Sequence, residues 1–251
     1  INWECEVNWQ ISDVNLGCKI GVSNAINWFF NYVDEGIIIE DDIVAHKDFF
    51  EFCEKLLEKY RKDKRIWCIS GSNNQDNIIR GEATYYFGKI PLIWGWATWK
   101  DRWENYDINL SKWPEVKSTK TLDNIFNDYL QKQYWENIWE SFYKSGKPDT
   151  WDYAWVFTCI INNGLTIIPN KNLIKNIGFN KEAFHTKWHR ETCKIESIGK
   201  EIIHPKLLIC DLEAEKYQFD YFFGGYSRRL RKNPALRIKN KFKRIFKILI
   251  K

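Results

Sequence analysis

Three adjacent carboxylates, Glu40, Asp41 and Asp42, directly follow an apolar run at residues 36–39. A short apolar run that begins at a Gly is typical of a buried parallel strand, and the active sites of open α/β sheets lie beyond the carboxyl ends of such strands. Crowded carboxylates repel one another unless a cation neutralises them, and Mg²⁺ and Mn²⁺ prefer oxygen ligands. The pattern predicts a metal site that holds a diphosphate. The alternative is that Asp41 or Asp42 caps the next helix while the other acids are solvated.

Residues 91–99 form a second candidate segment, because they place three Trp residues, including Trp94 and Trp96, around Gly95. A Gly lets the backbone approach a ligand closely, and Trp faces stack on sugars or riboses. The segment therefore predicts a wall of a sugar or ribose pocket. A helix start buried by Trp anchors explains the same residues.

Asp152 is a candidate general base, because it lies between the aromatic residues Trp151 and Tyr153. A carboxylate that is partly desolvated by such rings is expected to have a raised pKa, as a general base requires. The alternative is a helix cap, since Asp149 and Thr150 also precede an apolar run. From these residues alone, the cap is the simpler interpretation.

Two basic side chains are weaker candidates. His185 lies in a polar loop after a Gly turn, where an imidazole could bind a metal or contact phosphate, although a lone loop His more often does neither. Lys19 follows the turn at residues 15–17 and could contact a phosphate, although a Lys at the surface more often has no ligand.

The chain has no GxGxxG, GxxxxGK[ST], GxSxG or HExxH motif. This argues against the commonest dinucleotide-binding, NTPase, hydrolase and zinc-protease classes.

The elements that would position these residues alternate between strands and helices. Apolar periodicity predicts, in order, a loose strand at 5–11, a helix at 20–33, a strand at 36–39, a helix at 46–61 and a strand at 66–71. Such a β-α-β-α-β order predicts a parallel sheet covered by helices. The pattern then predicts a helical region at about 121–144, a segment at 151–162 that is apolar on both faces, and a short strand at 165–169.

Composition bounds the class of protein. A chain of 251 residues with 44% hydrophobic content can form one domain with a C-terminal appendage. The seven Cys are odd in number and form no CxxC pair, which argues against a disulfide framework or a zinc site and fits a reducing cytoplasm. No apolar run approaches the roughly 18 residues of a membrane span, so we expect a soluble or peripheral protein.

Charge divides the chain at residue 226. Of the 38 Lys and Arg residues, eleven follow residue 226, where there is no acid, so the rest carries 27 basic residues against 33 acidic ones. This balance argues against a nucleic-acid-binding body. Segment 234–251 places apolar residues on one helical side and Lys and Arg on the other. The pattern predicts a tail at 227–251 that lies on an anionic membrane surface, at the inner face of the membrane; docking on the body or on a partner is the alternative.

The combined pattern resembles a GT-A glycosyltransferase over about residues 5–225, and most of all the bacterial sugar-transferase (hemolysin-like) relatives of N-acetylglucosaminyltransferase I. The resemblance rests on four segments in order, which are the strand ending in Glu40-Asp41-Asp42, then Trp94-Gly95-Trp96, then Trp151-Asp152-Tyr153, then Gly178-Phe179 with His185. It implies a Rossmann-like, mostly parallel sheet flanked by helices over residues 1–226. It also implies metal-dependent, inverting transfer of a sugar from a nucleotide-sugar donor to a glycan or glycolipid hydroxyl.

The resemblance assigns a role to each candidate. Asp42 would be the direct ligand of Mn²⁺ or Mg²⁺, Glu40 and Asp41 would reach toward the ribose and metal-bound water, and His185 would help to hold metal or diphosphate. Asp152 would deprotonate the acceptor hydroxyl. The residues expected to contact the donor are Glu40, Asp41, Lys19 and Gly95, and those expected to contact the substrates are Trp94, Trp96 and Trp151.

The resemblance also implies that the start of the family's fold is missing from this chain. The family begins with two more strand-helix units, so a chain that starts at what looks like the third strand is expected to be truncated and to lack the first strands.

Two other functions share these features: a non-catalytic carbohydrate-binding or scaffold domain, and a nucleotidyltransferase that acts on sugar phosphates. Metal-dependent donor binding distinguishes the first alternative, and production rather than consumption of a sugar nucleotide distinguishes the second.

Overall fold

The computed structural model describes residues 2–178 and 194–233, so His185 and segment 234–251 lie outside the described residues. The helices are α1 (Gly17–Phe29), α2 (Lys47–Tyr60), α3 (Lys100–Trp103), α4 (Trp113–Ser118), α5 (Tyr129–Ser145), α6 (Asp152–Ile161), α7 (Leu212–Tyr221) and α8 (Gly225–Lys232). The strands are β1 (Glu35–Ile38), β2 (Ile43–Ala45), β3 (Ile66–Ser70), β4 (Tyr85–Gly88), β5 (Trp96–Trp99), β6 (Leu165–Pro169) and β7 (Ile174–Asn176). Helix α8 crosses the predicted boundary at residue 226.

The main sheet has five strands in the order β1-β5-β3-β6-β4. Strands β3 and β6 are parallel, whereas β5 is antiparallel to both β1 and β3, and β4 is antiparallel to β6. The fold is α/β, but the prediction of a mostly parallel sheet is wrong, because β5 lies between β1 and β3. Apolar periodicity identifies a buried strand and carries no information about its direction.

Segment 5–11, which alternates apolar and polar residues, has no regular secondary structure. Its side chains are exposed, with Trp9 at 79% and Ile11 at 84%. A strand is stable only when its backbone groups pair with a neighbour. Within residues 2–178 and 194–233 no strand pairs with this segment, so the prediction of a strand here is wrong.

Helix α2 covers one face of the main sheet. It begins after His46, whose ring accepts a hydrogen bond from the amide of Asp48 at 3.2 Å and so satisfies one free N–H of the first turn. Its apolar side includes Phe49, Phe52 and Leu56, each 0% exposed. Burial of one such side chain contributes about 1.5–3 kcal/mol. This amphipathic pattern is why the helix was predictable from local sequence.

Helices α1 and α6 pack on the other face, where Trp residues form the core. Ile26 of α1 and Trp155 of α6 belong to one buried cluster with Trp96 and Trp103. The ring centroids of Trp96 and Trp155 lie 5.5 Å apart, and both side chains are 0% exposed. The high Trp content therefore fills the interior next to the candidate site.

Helix α5 packs against α6. Its Trp139 is fully buried, and the ring lies 5.2 Å from that of Phe157 on α6. The helix begins at Asp128, whose carboxylate accepts the amide of Leu130 at 2.9 Å, and it ends at Gly146. Seventeen residues at the rise of an α-helix span about 25 Å.

Candidate functional site

The acidic residues lie in a turn just after β1. Strand β1 ends at Ile38, and the amide of Ile43 donates to the carbonyl of Glu40 at 3.1 Å, which closes the turn. Strand β2 then pairs with β7 as a separate two-stranded antiparallel sheet. The acids therefore stand at the carboxyl end of an apolar strand, as the sequence predicts.

Glu40 is the acid that its surroundings perturb most clearly. Burial raises its pKa from 4.5 to about 7, and the charges of Asp42, Asp152 and Asp41 act in the same direction. The indole Nε1 of Trp151 donates to Glu40 Oε1 at 3.2 Å, which partly opposes the rise. The structure thus brings Asp152, predicted from a distant segment, within electrostatic reach of Glu40.

Asp42 has a buried oxygen that lacks a partner. Among the described atoms, none hydrogen-bonds Asp42 Oδ1, although it is shielded from solvent. The backbone holds the residue in place, since the Ile177 amide donates to the Asp42 carbonyl at 2.8 Å. A Cβ at Gly178 would lie 2.3 Å from Asp42 Oδ2, so any larger residue at 178 would displace this carboxylate. An unpaired, buried carboxylate oxygen fits a divalent cation as a ligand.

The donor set for a metal ion is incomplete within the protein itself. Over residues 2–178 and 194–233, no group of three His, Cys, Asp or Glu side chains is positioned to hold a metal ion. Mg²⁺ is nevertheless commonly bound by one or two carboxylates together with substrate phosphates and water. Asp42 and Asp41 fit this limited role, and the predicted ligand His185 lies outside the described residues.

Asp152 is the first residue of α6, so its carboxylate lies at the positive end of a helix. The hydroxyl of Thr150 donates to its Oδ1, which orients the group. Its charge contributes to the raised pKa of Cys18 and of Tyr153, the latter to about 12, in each case after burial as the larger cause. The residue that precedes the helix is Trp151, and no described side chain caps the first turn, so the alternative of a helix cap at Asp152 is wrong. The role of Asp152 as a general base stays a prediction.

Lys19 lies near the site but already has a contact. Its ammonium group lies 4.1 Å from the ring centroid of Phe142, and burial lowers its pKa. The carboxylate of Asp149 accepts the amides of Cys18 and Lys19, both at 3.2 Å, and so caps the start of α1. A phosphate contact of Lys19 stays a prediction.

The three predicted Trp contacts differ in their placement. Trp96 and Trp151 stack with centroids 5.5 Å apart and are 0% and 1% exposed, so both support the acids from the interior. Trp94 is half-buried, with its ring edge toward Phe222 at 5.9 Å. Only Trp94 has a surface that a substrate could reach in this structure.

Gly95 has a structural reason to be glycine. Its φ is +64°, and a Cβ there would lie 2.6 Å from Ile174 Cδ1. Its carbonyl accepts the amide of Gly71 at 2.8 Å, which holds the turn against the end of β3. This explains the residue without a ligand, and donor contact stays a prediction.

Sequence reasoning missed two features of the site. It did not identify Asp149 as the cap of α1, because the residue lies 131 positions from Cys18. It assigned the raised pKa to Asp152 and did not expect one for Glu40. A signal for Glu40 was available, since it directly follows an apolar strand and precedes two more acids.

In comparisons with known proteins, no family model matches this chain.

Proposed function

We propose that this protein is a metal-dependent glycosyltransferase that moves a sugar from a nucleotide-sugar donor to a hydroxyl of a glycan or glycolipid acceptor. The observation that carries the proposal is the buried Asp42 Oδ1, which lacks a hydrogen-bond partner in the described structure and stands among crowded acids at the end of β1. The charges that act on Glu40 come from Asp42, Asp152 and Asp41. A divalent cation would relieve exactly this kind of repulsion.

The proposed chemistry uses two of these acids in different roles. When bound, Mn²⁺ or Mg²⁺ would offset the negative charge that develops on the departing nucleoside diphosphate. Asp42, with Asp41 beside it, would hold the ion. Asp152 would take the proton of the acceptor hydroxyl while that oxygen bonds to the anomeric carbon and the bond from this carbon to the diphosphate oxygen breaks. Attack from the face opposite the leaving group inverts the anomeric centre.

A non-catalytic carbohydrate-binding or scaffold domain is the second candidate. In the described part of the chain no three side chains are positioned to hold a metal ion, which is compatible with this candidate and equally with an ion held by one or two carboxylates. Such a domain would bind sugars without any requirement for Mn²⁺. The dependence of donor binding on metal therefore distinguishes the two candidates.

The test is a thermal-shift screen against UDP-, GDP-, CMP- and dTDP-sugars, each with Mn²⁺ and with EDTA. A donor at about 100 times its Kd stabilises the folded state by about 2.7 kcal/mol, which raises the Tm of a chain of this size by about 5–10 °C. We expect one nucleotide class to give this shift only with Mn²⁺. The nucleotide released on adding an acceptor, a nucleoside diphosphate or CMP, is then measured by chromatography.

Two variants make the screen specific for the acidic site. Asp42→Asn keeps the shape of the side chain and removes its charge, so it should abolish the metal-dependent shift. Asp34→Asn is the matched control, because Asp34 is exposed just before the start of the same strand. An equal metal-dependent shift in Asp42→Asn, or no shift with any donor, would contradict the proposal.

We also propose that the basic tail carries the protein to an anionic membrane surface at the inner face of the membrane. Its segment 234–251 lies outside the described residues, but α8 directly before it carries Arg228, Arg231 and Lys232, all exposed. Each Lys or Arg near an anionic surface contributes about 1 kcal/mol. In the part of the chain that the structure describes, no helix is long and apolar enough to cross a membrane.

A further inference from the structure

A cavity of about 550 Å³ lies at the N-terminal end of α5, between this helix and α7. A cavity of this volume holds a small molecule or one unit of a larger one.

Glu215 is the polar centre of the cavity wall. It is 6% exposed, and its Oε1 accepts the amides of Lys89 at 2.7 Å and Ile90 at 3.3 Å. Its Oε2 accepts one long hydrogen bond, from Gln131 Nε2 at 3.5 Å. Burial raises its pKa. A carboxylate oxygen has room for a second donor, so Oε2 is the atom to which a ligand would donate.

The basic side chains of the cavity are already engaged. Arg229 pairs with Asp128 and with Asp220, the latter at 2.7 Å, and Lys216 pairs with Asp220 at 2.7 Å. The ammonium of Lys89 donates to the carbonyl of Ile125 at 2.5 Å. Because these cations have protein partners and Glu215 is acidic, the cavity does not favour an anion.

The remaining walls are apolar or aromatic. Phe126, Tyr129, Leu130 and Leu212 all line the cavity. Tyr129 is 62% exposed and Leu212 is 50% exposed, so both stand at the rim. An apolar rim next to a hydrogen-bond acceptor matches a ligand that has both a hydroxyl and an apolar face, and this combination is characteristic of pyranose rings.

We propose that this cavity binds a neutral saccharide unit, with one hydroxyl donating to Glu215 Oε2 and the apolar ring face against the rim residue Leu212. The proposal goes beyond the proposed glycosyl transfer and does not depend on it, because a purely carbohydrate-binding protein would use the cavity in the same way.

The test is saturation-transfer NMR and calorimetry on the full chain in EDTA with the methyl glycosides of glucose, galactose and N-acetylglucosamine, each up to about 10 mM. Inorganic phosphate and ethylamine serve as an anion and a cation for comparison. We expect at least one glycoside to bind and neither ion to compete with it. If no glycoside binds, or if either ion displaces it, the proposal is wrong.

Three variants locate the bound sugar. Leu212→Trp fills the rim from an exposed position and should weaken binding about tenfold or more, whereas Leu207→Trp is the matched control on a more exposed Leu outside the cavity. Glu215→Gln keeps an acceptor for the amides of Lys89 and Ile90 but removes the charge, and should weaken binding about tenfold. If Glu215→Gln does not fold, the sugar affinity of Leu212→Trp alone tests whether the sugar binds in this cavity. Equal affinity of Leu212→Trp and the unchanged protein would overturn the assignment.

Discussion

Replacing Glu40 by Gln is expected to stabilise the metal-free protein at pH 8 and to change it little at pH 5. The pKa of Glu40 is raised from 4.5 to about 7, so the folded protein favours the protonated carboxyl. The stability that the protonated Glu40 carboxyl gives the folded protein, relative to the ionised one, is fully present below pH 4.5 and is lost as the pH rises through 7. From these two pKa values, ionised Glu40 costs the fold about 3 kcal/mol at pH 8 and less than about 1 kcal/mol at pH 5.

Gln is a suitable replacement because its carbonyl oxygen can still accept the Trp151 indole N–H. A gain of about 3 kcal/mol at pH 8 corresponds to a rise in Tm of about 6–12 °C for a chain of this length. The measurement is thermal unfolding by circular dichroism in EDTA, from pH 5 to pH 8. Glu54→Gln is the matched control, since Glu54 is exposed on α2. A difference between Glu40→Gln and the unchanged protein that is the same at both pH values would refute the reasoning.

Three further outcomes are expected. Asp152→Asn should lower turnover by about 10²–10⁴ while calorimetry shows unchanged donor binding, because a general base acts in the chemical step; equal loss of both would indicate a structural role. Gly95→Ala should lower the free energy of unfolding in urea by about 1–3 kcal/mol more than Gly81→Ala. Both glycines have positive φ, but a Cβ lies 2.6 Å from Ile174 Cδ1 only at Gly95, and equal effects would contradict this account. Deleting 234–251 should release the protein from phosphatidylserine vesicles, with phosphatidylcholine vesicles as the uncharged control; retained binding to phosphatidylserine would remove the membrane role.

Local sequence was sufficient to predict some of the elements. The helix expected at 46–61 is α2 (Lys47–Tyr60), and the strand expected at 66–71 is β3 (Ile66–Ser70). Both have a periodicity that depends only on neighbouring residues. Strand β5 was not predicted, because its four residues are all buried and so show no alternation that would mark a strand. Segment 5–11 has the pattern of a strand but lacks a paired neighbour in the described structure.

For the candidate site, local sequence places Glu40, Asp41 and Asp42 after an apolar strand and Asp152 at the start of an apolar helix. Long-range packing brings Asp152 into the environment of Glu40. The indole that hydrogen-bonds Glu40 comes from Trp151, 111 residues along the chain, and burial by such distant segments is what raises the pKa of Glu40. Burial of Trp96 and Trp151, which removes both rings from the surface, has the same origin. Desolvation and packing depend on all the segments that meet at a point, and local sequence patterns do not contain that information.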